Sequence, residues 1–170
     1  SSNDGNVIAL TAEAKALGIK RGVPFFQVKG ILEKNNVAVF SSNIMLYSAM
    51  SKRVQSIMRN TVAHTESYSI DEQFLYLDGY EKNYDLVELM RGMVRKIALY
   101  TDIPVSIGIA RTKTLAKVAS KFAKNFKGYR GVCMIDTEEK RRKALSMFDL
   151  ADVWGIGPRT YAKLAALGVS

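Results

Sequence analysis

Two carboxylates stand side by side at Asp71 and Glu72, within Tyr68-Ser69-Ile70-Asp71-Glu72 and between two strand-like runs, residues 62–68 and 73–77. Neighbouring side chains of a straight strand point to opposite faces, so this pair can share a ligand only if the backbone bends between them. A tight hairpin end supplies that bend. Carboxylates brought together repel, which suits them to a divalent cation such as magnesium, held through one or two carboxylates plus substrate phosphates. The same residues also read as an ordinary solvated acidic turn.

Basic residues supply a second set of candidates. A helix predicted over 112–125 puts Leu115, Val118, Ala119 and Phe122 on one face, and aligns Lys113, Lys117, Lys121 and Lys124 in a stripe. That stripe is either a solvated basic face or a source of phosphate contacts. Further on, Trp154-Gly155-Ile156-Gly157-Pro158 precedes a helix predicted over 159–167. Two glycines around an apolar residue, with proline suited to the first helical position, make a tight hairpin between helices. The second helix then offers unpaired N–H groups to an anion such as a DNA phosphate, or the motif is a plain connector. Cys133 lies in an apolar run and reads as a buried hydrophobe. His64, the one histidine, has no companion for a zinc site.

Several elements must position these groups. A helix is predicted over 7–17, closed by Gly18, then a loop at 20–24, a short apolar segment at 25–28 and a buried strand at 37–40. Asn43 caps a helix reaching 57 or 58. After a turn at 78–80, Asp85 caps a helix whose Leu86, Leu89, Met90, Met93, Val94 and Ile97 form a core-facing stripe. Residues 103–109 read as a strand in which Gly108 marks close backbone approach. Residues 131–135 read as another, and Thr137 caps a short charged helix.

At 170 residues and 48% hydrophobic content the chain is long enough for a proper core. No run approaches the roughly 18 apolar residues of a membrane span, and no signal-peptide pattern stands at the N-terminus, so the expectation is a cytoplasmic protein with no membrane partner. The net charge of +9 is uneven: +5 over residues 1–60, −4 over 61–107 and +8 over 108–170. An acidic centre between basic flanks fits a metal site beside a polyanion.

Taken in order, Ser1-Ser2-Asn3-Asp4-Gly5, Glu13-Ala14-Lys15, Ser41-Ser42-Asn43, Tyr68-Ser69-Ile70-Asp71-Glu72, Leu115-Ala116-Lys117-Val118-Ala119-Ser120 and Trp154-Gly155-Ile156-Gly157 resemble the Y family of DNA polymerases, in its UmuC-like (ImpB/MucB/SamB) branch. The resemblance spans nearly the whole chain. It implies template-directed addition of deoxynucleotides to a primer opposite damaged DNA, in DNA repair and the SOS response. The implied fold is α+β: a ferredoxin-like palm sheet with helices on one face, a small fingers subdomain and the start of a helical thumb with a helix-hairpin-helix. Residues 1–58 then read as fingers, 59–150 as palm and 151–170 as the start of the thumb.

By the same resemblance, Asp71 and Glu72 match the family's catalytic acidic pair, with metal held at the Asp position and the Glu position assisting at the primer end. Lys124 matches a lysine on the incoming triphosphate, and Lys15 stands where relatives often use an arginine for it. Ala12 replaces a triphosphate-binding tyrosine. Apart from the resemblance, Gly155 and Gly157 are the residues read as approaching a DNA phosphate through the N–H groups at the helix start. The implied partners are primer-template DNA, deoxynucleoside triphosphates and, through regions outside these residues, a sliding clamp or accessory repair proteins. Two-metal transfer of a phosphoryl group uses two Mg2+ ions surrounded by at least three carboxylates. The family's further Asp and its sugar-gating aromatic belong to a first palm strand expected before Ser1. The expectation is therefore weak or absent polymerase activity from this chain, and an unpaired sheet neighbour able to associate with another copy.

Two other readings use the same residues. In a non-catalytic DNA-binding module, the basic segments and glycine hairpin matter while Asp71 and Glu72 only shape a turn. A metal-dependent nucleotide cyclase could share a palm-like sheet, but the lysine-rich helix and terminal hairpin do not favour it.

Overall fold

The computed structural model describes residues 5–169, so the turn cluster expected at 1–4 lies outside the described residues. The chain divides into two compact units, Ser1–Ser48 and Ala49–Ser170.

In the first unit, Val7 and Val23 are joined by a backbone hydrogen bond of 2.9 Å, and Gly22 donates to Val7 at 2.8 Å. These bonds hold the start of the predicted helix extended, so α1 is only Ala12–Ala16, capped by Thr11. Gly18 follows its end at φ 83°, as expected of a helix-terminating glycine. The apolar segment at 25–28 is the first turn of a helix, α2 (Phe25–Lys34), which buries Val28 and Leu32 against Ile19. The strand expected at 37–40 is absent. Val37 packs on this small core, but Val39 and Phe40 stand 55% and 82% exposed, and no described strand pairs with them. An apolar run without a hydrogen-bonding neighbour has no ladder to join.

Helix α3 (Ile44–Arg59) carries the chain into the second unit, its first turn capped by the Asn43 side chain, which accepts from Leu46 N at 3.0 Å. The hairpin follows as β1 (His64–Ser67) and β2 (Gln73–Tyr76), antiparallel, with Ser67 opposite Gln73. Asp85 caps α4 (Leu86–Thr101), accepting from Val87 N and Glu88 N, and Met90, Met93 and Ile97 on its predicted stripe are buried. Then β3 (Ile107–Ala110), α5 (Lys113–Asn125) and β4 (Val132–Ile135) form a parallel pair joined by a crossover helix. Thr137 caps α6 (Glu138–Ser146), a 3-10 turn covers Leu150–Asp152, and α7 (Pro158–Ala166) ends the described chain.

The class is α+β, with two refinements. The expected palm sheet is present, among the described residues, as two separate two-stranded pairs. They share the core around Met90: Leu75 of β2, and Ile109 and Val132 of β3 and β4, all pack there. Helices cover both faces of the parallel pair, not one. Val132 and Met134 turn to the Met90 cluster with α4, while Cys133 and Ile135 turn to Val118, Ala119 and Phe122 of α5. Alternate side chains of β4 are apolar on both sides, so each side needs a cover.

Gly108 lets α5 lie directly on β3. A Cβ there would fall 2.0 Å from the Ala116 carbonyl oxygen and 2.2 Å from Ser120 N. This close approach sets where the lysines of α5 emerge. Cys133 is buried, and burial pushes its thiol pKa up. Among the described residues no helix is long and apolar enough to cross a membrane.

Candidate functional site

Five residues, 68–72, link β1 to β2, and their reversal is closed by two backbone donors on one acceptor: Tyr68 N and Ser69 N both reach the Glu72 carbonyl at 3.1 Å. Inside the turn the Ser69 hydroxyl donates to Asp71 Oδ1 at 2.6 Å, and Asp71 N donates back to Ser69 Oγ at 3.3 Å. The backbone thus bends where the sequence required it. Asp71 is exposed and its second oxygen has no partner among the described residues.

Glu72 has a different neighbour. Its carboxylate is ion-paired to Lys117 of α5. The sequence suggested two mutually repelling carboxylates, whereas one of them is neutralised by a lysine reaching across from the helix. Lys117 is the site residue that the sequence placed only in a stripe.

The remaining lysines of that stripe separate into two groups. Lys113 Nζ donates to both oxygens of Glu66, at 2.7 and 2.6 Å, and lies 5.0 Å from the Phe74 ring centre. Tyr76 donates its hydroxyl to the same carboxylate at 2.6 Å. The hydrogen bond from Lys113, then that from Tyr76, holds Glu66 below the usual carboxylate pKa, and Glu66 in turn raises that of Lys113. Lys121 pairs with Asp152. Lys124, one turn further on, has no side-chain partner among the described residues and remains available to a ligand. Lys15 lies on α1 in the first unit, and Ala12 opens that helix.

At the glycine motif, Gly155 takes φ 90° and Ile156 N closes a turn onto Val153 O at 2.9 Å. Gly157 is the N-cap of α7 and Pro158 its first residue, as predicted. Only a 3-10 turn precedes the motif, in place of the full helix a helix-hairpin-helix calls for. Gly157 has open space around its missing Cβ, so no packing within the described chain demands glycine there.

Metal-ligand chemistry can be tested against this geometry. Among the described residues no group of three or more His, Cys, Asp or Glu side chains comes together. Asp71 and Glu72 therefore do not make a closed cage. Their exposure and the free Asp71 oxygen do fit a hard cation that takes one or two carboxylates and completes its shell from a substrate's phosphates.

The α+β fold that holds this turn and helix is shared with known proteins. Residues 1–121 match the impB/mucB/samB family. The chain is 39% identical over 169 residues to protein MucB of Escherichia coli and 42% identical over 170 to protein UmuC of Salmonella typhimurium, covering 99% of itself and 40% of each relative. Among solved structures, the insertion ternary complex of Dbh DNA polymerase matches with a TM-score of 0.77 and 27% identity, over 94% of this chain and 45% of that one. The chain belongs to the impB/mucB/samB family, the UmuC-like group of Y-family polymerases that its motifs resemble. It spans about two fifths of the length of the curated relatives it matches.

Proposed function

We propose that this chain carries fingers, palm and the start of the thumb of a translesion DNA polymerase, with residues 1–58, 59–150 and 151–170 in those roles. The observation that carries the reading is the Asp71-Glu72 turn set against α5, in a chain similar along its length to a DNA polymerase solved as a ternary complex. In this reading Asp71, assisted by Glu72, holds Mg2+. The cation, when bound, supplies positive charge to the phosphates of a deoxynucleoside triphosphate. Lys124 and Lys15 bind the triphosphate, and Gly155 and Gly157 approach a primer-template phosphate with their backbone N–H groups. Lys117 keeps Glu72 neutralised until a cation competes for it.

The partners are primer-template DNA and deoxynucleotides, with a sliding clamp or accessory repair proteins as further partners of the whole protein, in the cytoplasm. Two-metal transfer takes at least three carboxylates and this turn provides two, so weak or no extension is expected from the chain alone. Primer extension with magnesium and then manganese, comparing the chain with Asp71→Ala, tests the reading. Any extension must vanish in the variant. Extension that persists there contradicts it, and unchanged or tighter DNA binding with no cation bound by either protein favours the non-catalytic DNA-binding module.

A further inference from the structure

Trp154, the one tryptophan of the sequence, stands immediately before Gly155, yet its ring packs on residues either side of the acidic turn. The indole is edge-on to Tyr68 with ring centres 5.3 Å apart, and lies 5.7 Å from Phe74. Its Nε1–H donates to the Tyr68 hydroxyl at 3.2 Å. Tyr68 and Phe74 are themselves 5.8 Å apart, so the three rings close on one another. Tyr68 opens the turn and its N–H is bonded to the Glu72 carbonyl, while Phe74 lies two residues beyond Glu72. A displacement of Trp154 therefore reaches both ends of the turn.

A second attachment limits how Trp154 can move. Lys121 pairs with Asp152 and sits 5.1 Å from the Phe148 ring centre, tying the segment before Trp154 to the helix whose Lys117 holds Glu72. Beyond these contacts the segment is lightly held: neither the 3-10 turn nor α7 buries a residue. A ring that merely fills core space is buried, but Trp154 is only half-buried and Tyr68 is 49% exposed. The cluster is better suited to fixing the geometry of the turn than to filling a core.

We infer that Trp154 is a positioning residue that couples phosphate-backbone binding at the 155–157 loop to the cation site at Asp71 and Glu72. The inference rests on the reading of loop and turn given above. Coupling of this kind is reciprocal: whatever factor the nucleic acid imposes on cation affinity, the cation imposes on nucleic-acid affinity.

The test measures Mn2+ affinity of the 170-residue chain from the electron paramagnetic resonance signal of the free ion, with and without a primed DNA duplex. Mn2+ held by the duplex alone is subtracted. Duplex affinity is measured with and without Mn2+, and Trp154 emission is followed throughout. The duplex should change the Mn2+ dissociation constant by about fivefold, with the same factor in the reverse direction, and should shift Trp154 emission without metal. Tyr68→Phe, which removes only the acceptor of the indole bond, should reduce that factor while each separate affinity stays within about twofold of the parent. Trp154→Phe should keep more of the factor than Trp154→Ala. A factor of one in the unaltered chain, with both ligands bound, overturns the inference alone, as does an undiminished factor in a folded Trp154→Ala. Failure of Mn2+ or duplex to bind the unaltered chain overturns the functional reading beneath it.

Discussion

Lys117 on α5 is ion-paired to Glu72 in the hairpin turn, 45 residues away in sequence. A cation entering the turn must compete with this ammonium, whose side chain is 27% exposed and so only partly screened by water. Lys117→Gln should therefore tighten Mn2+ binding, by up to about fivefold given the usual worth of such pairs. Titration calorimetry checks this, and weaker binding in the variant would show that Lys117 helps to assemble the site.

Lys121 and Lys124 lie on the same helix but are differently engaged, the first by Asp152 and the second by nothing described. Lys124→Ala should weaken binding of a deoxynucleoside triphosphate by about tenfold, the worth of one charge-assisted contact, whereas Lys121→Ala should leave it within about twofold. Equilibrium binding of a fluorescent triphosphate separates the two.

The contact of β3 with α5 makes Gly108→Ala severe. The added methyl meets backbone atoms at 2.0 and 2.2 Å, which cannot rotate aside as a flexible side chain can. A loss of about 3 kcal/mol is expected in urea unfolding.

Acid should weaken the fold through α6. Hydrogen bonds from Arg141, then from Arg142, lower the Glu138 carboxyl from its usual 4.5 to about 2. A carboxyl that ionises more readily when folded stabilises the fold above its unfolded pKa, and that stabilisation disappears as pH falls from about 4.5 through about 2. The parent and Glu138→Gln should thus differ in urea midpoint near pH 6 and converge near pH 2. The difference is small, since all three side chains are exposed. Glu66, also lowered, acts in the same acid direction. Lys113, raised, contributes below its usual 10.5 and loses that contribution as pH climbs past it.

Local chemistry was legible in the sequence wherever one element decides it. Asn43, Asp85 and Thr137 each cap the helix expected of them, Met90, Met93 and Ile97 of the α4 stripe are buried, and Gly108 marks a real backbone contact. Spacing alone could not tell residues 37–40 from a strand, because four apolar residues carry no period and their partner is decided elsewhere. Nor could it assign the lysines. Their four-residue spacing put Lys113, Lys117 and Lys121 along one helix, but which carboxylate each meets depends on how α5 crosses the hairpin. Trp154 was visible as part of a glycine motif, and its bond to Tyr68, 86 residues away, was not.

The central claim is that Asp71 lies at a cation site that a nucleotide completes. Its most direct test is Mn2+ binding to the 170-residue chain in the presence of a deoxynucleoside triphosphate, followed by the free-ion resonance signal and compared with Asp71→Asn. The account predicts Mn2+ uptake by the chain that the nucleotide strengthens, weakened at least about tenfold in the variant, the equivalent of about 1.4 kcal/mol. Equal uptake by both proteins would contradict it.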